Sequence, residues 1–124
     1  MNLLLDTHIL LWWLAQDARL SKRARTAIMD AERVYVSAAS AWEMAIKSAA
    51  GKLRAPADLV YQVDRSGFVQ LPVSFAHAIV AAKLPRHHGD PFDRMLVSQA
   101  MTESLTLLTS DRHQAAYDVP VVLA

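Results

Sequence analysis

Leu3-Leu4-Leu5 ends abruptly at Asp6, and helix-like sequence begins at once with Thr7. A short apolar run bounded by polar residues reads as a strand buried on both faces of a parallel sheet, although a buried helix segment can share the pattern. A carboxylate at the carboxyl end of such a strand stands where open α/β sheets bind their ligands. Asp is also a favoured helix N-cap, which would account for Asp6 by itself. The rest of the chain decides how much weight the first reading carries.

Strand-like and helix-like patterns alternate from end to end. Ile9, Leu10, Trp13 and Leu14 have helical spacing, and Ser21 reads as the N-cap of a second helix over residues 22–31. Trp12 and Trp13 are adjacent, so they point different ways and one of them is expected at the surface. Val34-Tyr35-Val36 reads as a second strand. A helix over residues 37–50 follows, ending at Gly51, with Ala39, Trp42, Ala45, Ile46 and Ala49 as its apolar face. Residues 57–66 form a modest helix closed by Gly67, and Phe68-Val69-Gln70-Leu71 a third strand. Ser74 opens a helix to Leu84 whose expected buried stripe is Phe75, Ala78, Ile79 and Ala82. Asp90-Pro91-Phe92-Asp93 is a strong helix start, with Asp at the N-cap and Pro at the first helical position. Leu105-Thr106-Leu107-Leu108 reads as a fourth strand running into Thr109-Ser110-Asp111. A short helix over residues 112–117 leads to an edge strand over 119–123. This alternation predicts one domain, residues 1–124, built as an α/β sandwich around a mainly parallel sheet of about five strands.

Composition bounds the function. Hydrophobic residues at 53% and charged ones at 20% fit a compact folded chain and exclude disorder. The net charge of +1 does not announce a nucleic-acid binder, yet 13 basic and 12 acidic residues can still separate into a basic rim and an acidic pocket. The absence of cysteine removes disulfides, thiolate metal sites and cysteine nucleophiles. Asp6 and His8 interrupt the apolar start, which is unlike a secretory signal, and no run reaches a membrane span. The expectation is a soluble cytoplasmic protein.

Asp6, Glu43, Asp93 and Asp111 each fall at or near an element edge. Carboxylates gathered in one cleft repel each other unless a cation sits among them. Carboxylate and water ligands suit Mg²⁺ or Mn²⁺, and such a cleft suits phosphodiester chemistry. Structural roles compete for each acid. Glu43 stands three residues after Ser40, as in a capping box, and four before Lys47, as in a helix ion pair. His87-His88 beside Asp90 lack a third ligand at metal-site spacing and read as a polar loop.

The chain resembles the PIN-domain ribonucleases, and more closely the VapC-type toxins of bacterial toxin–antitoxin pairs. The blocks that carry the resemblance are MNLLLDTHILLWWL, VSAASAWEMAIK through Gly51-Lys52-Leu53, HGDPFDRMLVSQA, and LLTSD near the end. They cover essentially the whole chain in order. The resemblance implies a PIN-like α/β/α sandwich with an acidic site of Asp6, Glu43, Asp93 and Asp111 that binds Mg²⁺ or Mn²⁺. It implies endonucleolytic cleavage of RNA that leaves 5′-phosphate and 3′-hydroxyl ends. Thr7, Ser110 and Asp90 are candidates for supporting the acids, Asp90 chiefly as a cap. Lys47, Arg94 and Arg112 are candidates for touching RNA phosphates, which position without reading sequence; solvated helix faces and ion pairs are the competing account. An antitoxin protein is the implied partner, alongside homodimers and toxin–antitoxin hetero-oligomers. Trp12 and Trp13, on a hairpin over residues 7–31, together with the helix over 57–66, are the candidate surface for an amphipathic antitoxin helix.

Rival readings are separable. A phosphoacceptor receiver domain needs an acid at the end of its third strand, where this chain has Phe68-Val69-Gln70-Leu71. A PIN-type binding module with decayed nuclease would be expected to have lost some of the acids. A housekeeping RNA-processing nuclease shares the chemistry and differs in setting.

Overall fold

A computed structural model describes residues 1–86 and 89–124, so the loop reading of His87-His88 lies outside the described residues. The elements are β1 (Asn2–Leu5), α1 (Thr7–Leu14), α2 (Lys22–Asp30), β2 (Arg33–Ser37), α3 (Ala38–Ala49) and α4 (Leu59–Arg65). They continue with β3 (Val69–Leu71), α5 (Phe75–Lys83), α6 (Pro91–Glu103), β4 (Thr106–Thr109) and β5 (Val121–Leu123). The expected helix over residues 112–117 is a 3₁₀ turn at Gln114–Ala116.

The five strands form one wholly parallel sheet in the order β3-β2-β1-β4-β5. Alternation along β1 divides the core. Leu3 and Leu5 join Val34, Val36 and Leu108 beneath α1, α2 and α4. Leu4 joins Leu71 and Leu107 on the opposite face, against Leu96, Val97 and Ala100 of α6. The result is a three-layer α/β/α sandwich, and it explains why β1 is apolar at successive positions rather than at alternate ones. Each fully buried leucine contributes roughly 1.5–3 kcal/mol relative to exposure, more than a typical cap, so the sheet core dominates the fold.

Local signals place the helix ends. Ser21 accepts from the Ala24 amide at 3.1 Å. Ser74 and His77 form a reciprocal capping box at the start of α5. Asp90 accepts from the amides of Phe92 at 2.8 Å and Asp93 at 3.3 Å, with Pro91 beginning α6. Gly51 follows α3 with φ of 71°, the left-handed conformation that glycine adopts without a steric penalty. The Ser40–Glu43 capping box is corrected: Ser37 caps α3, accepting from the Ala39 amide at 2.9 Å, and Ser40 lies inside the helix.

Two helices bury a different set of residues from the one expected, with Ala39 of α3 common to both sets. On α3 the buried residues are Ala39, Ser40, Glu43 and Met44, while Trp42 is 64% and Ile46 44% exposed. On α5 the buried residues are His77 and Ala81, while Phe75 is 90% and Ile79 57% exposed. Polar groups with partners occupy the inward positions. Buried His77 meets Glu103 at 3.1 Å, and its carbonyl accepts from Ser98 Oγ at 2.6 Å. Once those polar groups are hydrogen-bonded, their burial is tolerated, and the apolar stripes are left outside.

Candidate acidic site at the strand crossover

From β1 the chain moves outward to β2 and β3, then returns to the other side of β1 for β4 and β5. The β1/β4 boundary is therefore the point where strand order reverses, and the crevice beyond its carboxyl ends is the usual ligand position in such sheets. Asp6 stands on one side of it and Asp111 on the other. The Asp6 amide extends the ladder, donating to the Leu108 carbonyl at 3.0 Å.

Asp6 caps α1 from the carboxyl end of β1. Its Oδ1 accepts from the Ile9 amide at 2.9 Å and caps α1, while Oδ2 accepts from the Thr109 hydroxyl at 2.6 Å. The carboxyl is buried, and burial pushes its pKa above the ordinary range. The Thr109 and Ile9 donors and the charge of His8 pull it back, whereas the negative charge of Asp111 adds to the rise.

Glu43 reaches the same region from α3. The Thr7 hydroxyl donates to Glu43 Oε1 at 2.7 Å and stands 3.0 Å from Ser40 Oγ, joining the first turn of α1 to α3. Glu43 Oε2 receives the Lys47 ammonium in an ion pair one helical turn away. The hydrogen bond to Glu43 raises the Lys47 pKa, with further support from the charges of Glu43, Asp90 and Asp93, against a smaller opposing effect of burial. Asp93, half-buried in the first turn of α6, thus lies within the electrostatic reach of Lys47. Asp111 accepts from the His113 amide at 2.9 Å and faces its Nδ1 at 3.1 Å.

Thr109 thus links Asp6 to the backbone of Asp111, Thr7 links the residue after Asp6 to Glu43, and the charges of Glu43 and Asp93 both act on Lys47. Among the described residues, no three acidic or imidazole side chains are yet drawn together tightly enough to hold one ion. The donor set nonetheless suits a hard divalent cation: carboxylate oxygens throughout, one of them on a buried acid that burial and a like charge both destabilise in its ionised form.

Two supporting assignments change. Ser110 is exposed, and Thr109 takes the place expected for it, bonding Asp6 and accepting from the Asp111 amide at 3.0 Å. The only available signal was that Thr109 ends the strand beside Asp6, which requires the strand register to be known. Arg94 is corrected from a phosphate contact to a structural cap. Its guanidinium donates to the carbonyls of Ala81 and Leu84 at 2.9 Å and Pro85 at 3.0 Å, closing the C-terminal end of α5. Arg112 is exposed.

Trp12 and Trp13 are both half-buried, so neither is the freely exposed member expected of the pair. Trp13 packs on Phe68, with ring centroids 6.0 Å apart. Arg19 lies over Trp12, 5.3 Å from the ring centroid. Trp12 and Arg19 line a hollow of about 680 Å³ together with His8, Lys52, Arg54 and Gln62. A second hollow, of about 690 Å³, lies between Trp13, Arg25, Tyr61 and Arg65.

A parallel three-layer sandwich with acids at its crossover defines the class, and the family model of the PIN domain matches residues 3–120. The chain belongs to the PIN domain family. It is 28% identical over 122 residues to "Ribonuclease VapC22" of Mycobacterium tuberculosis, across 96% of this chain and 94% of that protein. Its fold is similar to that of VapBC2 from Rickettsia felis, solved bound to a DNA fragment from their promoter (TM-score 0.72, 14% identity, 99% and 98% of the two chains). It is also similar to VapBC-5 of M. tuberculosis, a member of the VapBC family of toxin–antitoxin systems (TM-score 0.64, 19% identity, 99% and 98% covered). Among the described residues no helix is long and apolar enough to cross a membrane.

Proposed function

We propose that this chain acts as one PIN domain, a VapC-type endoribonuclease serving as the toxin of a toxin–antitoxin pair. The observation that carries the reading is that Thr109 joins buried Asp6 to the backbone of Asp111, with Glu43 tied in through Thr7, at the strand crossover of a PIN-domain chain. Asp6, Glu43, Asp93 and Asp111 are the residues that would hold Mg²⁺ or Mn²⁺. Such an ion lowers the pKa of a coordinated water and offsets charge on the phosphate oxygens. The chain's own contribution is orientation. Ile9 and Thr109 fix the two oxygens of Asp6, Thr7 fixes one oxygen of Glu43, and Asp90 holds the first turn of α6 that presents Asp93. Water rather than the RNA 2′-hydroxyl is the nucleophile, so the products carry 5′-phosphate and 3′-hydroxyl ends. Lys47 and Arg112 remain candidates for RNA phosphates.

The antitoxin reading rests on the two hollows flanking the α1–α2 hairpin and α4, each pairing a tryptophan with arginines. Homodimerisation is supported by the outward apolar residues Trp42, Val73, Phe75 and Ile79. Trp42 meets Phe92 edge-on at 5.4 Å beside a hollow of about 460 Å³. An apolar hollow rimmed by exposed apolar side chains suits an interaction site. The setting proposed is the cytoplasm.

The second reading is the decayed binding module. A cleavage assay on purified, antitoxin-free protein separates the readings. A mixed pool of tRNA and structured RNA is incubated with Mn²⁺, Mg²⁺ or EDTA, with Asp6→Asn alongside. Metal-dependent cuts with 5′-phosphate ends, absent in the variant, are expected. Failure of the wild type to bind either ion by calorimetry would leave the binding module.

A further inference from the structure

Glu43 is one of the most deeply buried acids of the chain, at 3% exposure, and its two oxygens are both engaged. The Thr7 hydroxyl holds one and the Lys47 ammonium the other. Lys47 is the partly exposed member of the pair: its side chain is 34% accessible against 4% for that of Glu43, and its long flexible stem can swing toward solvent. The ammonium also lies within the fields of Asp90 and Asp93. A monovalent cation belonging to the chain therefore stands among acids whose chemistry suits a divalent one.

Resting on the nuclease reading above, we propose that Lys47 is the internal counter-ion of the metal-free site, and that its ammonium must leave Glu43 for a divalent cation to bind. The pair accounts for the state of Glu43. Buried Glu43 is tolerated without metal because its charge is compensated, and both of its oxygens are occupied by groups of the chain itself. An ordinary i,i+4 helix pair would account for the contact but not for the burial of Glu43 against the hydroxyl of Thr7, the residue after Asp6. Lys47 is in this sense a positioning residue that sets the threshold for metal occupancy. A pair closed about nine-tenths of the time raises the apparent metal dissociation constant about tenfold.

Two measurements on the full chain test this. Calorimetric titration with Mn²⁺ compares the wild type with Lys47→Met, which keeps the length of the side chain and removes its charge. The variant should bind about tenfold more tightly and melt at a lower temperature without metal, since Glu43 then lacks its counter-charge. The second measurement follows the Lys47 ammonium of the wild type by nitrogen-15 NMR during titration with diamagnetic Mg²⁺, and needs no variant to fold. Its hydrogen exchange should quicken as metal binds. Metal affinity unchanged in a folded Lys47→Met, or an ammonium still protected at saturating Mg²⁺, overturns the inference while leaving the nuclease reading intact. Absence of metal binding by both proteins sinks the two together, and is recognised by a wild type that also fails to bind.

Discussion

Thr109 donates its hydroxyl to Asp6 at 2.6 Å and accepts the Asp111 amide at 3.0 Å, so one side chain fixes both acids across the strand crossover. The contact joins residues far apart in sequence and exists because β1 and β4 lie side by side, with Leu5 opposite Leu108. It makes the geometry of the acidic crevice a property of sheet register.

Thr109→Val should remove the donor to a buried carboxylate while keeping the shape of the side chain. A metal-free stability loss of about 1–3 kcal/mol is expected near neutral pH. Protonated Asp6 carries its own hydrogen, so the loss should shrink in acid. Denaturant unfolding at both conditions checks this, and equal losses would show that the bond does not serve the ionised form.

Asp6→Asn should abolish RNA cleavage yet raise the metal-free melting temperature. The folded pKa of Asp6 lies above its unfolded value, so the native state binds this proton more readily. Its stability contribution is fully present below the unfolded pKa and is lost as pH rises through the folded one. Asparagine stays neutral and retains the oxygen that caps α1. Melting curves from roughly pH 4 to roughly pH 8 should show the variant gaining its advantage only as pH rises.

Asp90 and Asp93 should separate by phenotype. Asp90→Ala removes the cap of α6 and should cost about 1 kcal/mol of stability. Asp93→Asn should leave stability nearly unchanged and abolish cleavage. Activity retained in Asp93→Asn and lost in a folded Asp90→Asn would reverse the assignment.

Phe75→Glu places a charge on the outward stripe of α5. If that stripe joins two copies, sedimentation should show a dimer of the wild type and a folded monomer of the variant. A variant that remains dimeric places the interface elsewhere.

Trp12→Ala should weaken antitoxin binding by ~2 kcal/mol or more, the size of loss typical of a buried aromatic anchor. Unchanged affinity in a binding titration would remove this hollow from the candidate surface.

Local chemistry made much of this protein legible before its fold. Leu3-Leu4-Leu5 announced a strand covered on both faces. Ser21, Ser74, Asp90 and Pro91 marked helix starts, because a cap acts within one turn of its own residue. Asp6, Glu43, Asp93 and Asp111 were singled out by the resemblance, since other acids such as Asp58 and Asp90 border elements equally. Periodicity could not say which side of α3 and α5 turns inward. It locates an apolar stripe, but Glu43 and His77 take the inward places when hydrogen bonds from other elements compensate their burial. For the same reason the sequence could not choose Thr109 over Ser110 or commit Arg94 to the end of α5. Those choices depend on strand register and on carbonyls brought close only by packing. The sequence by itself determined the succession of elements and most of their caps, whose signals are local. The tertiary structure alone decided which groups meet and which faces remain open, since those depend on partners distant in the chain.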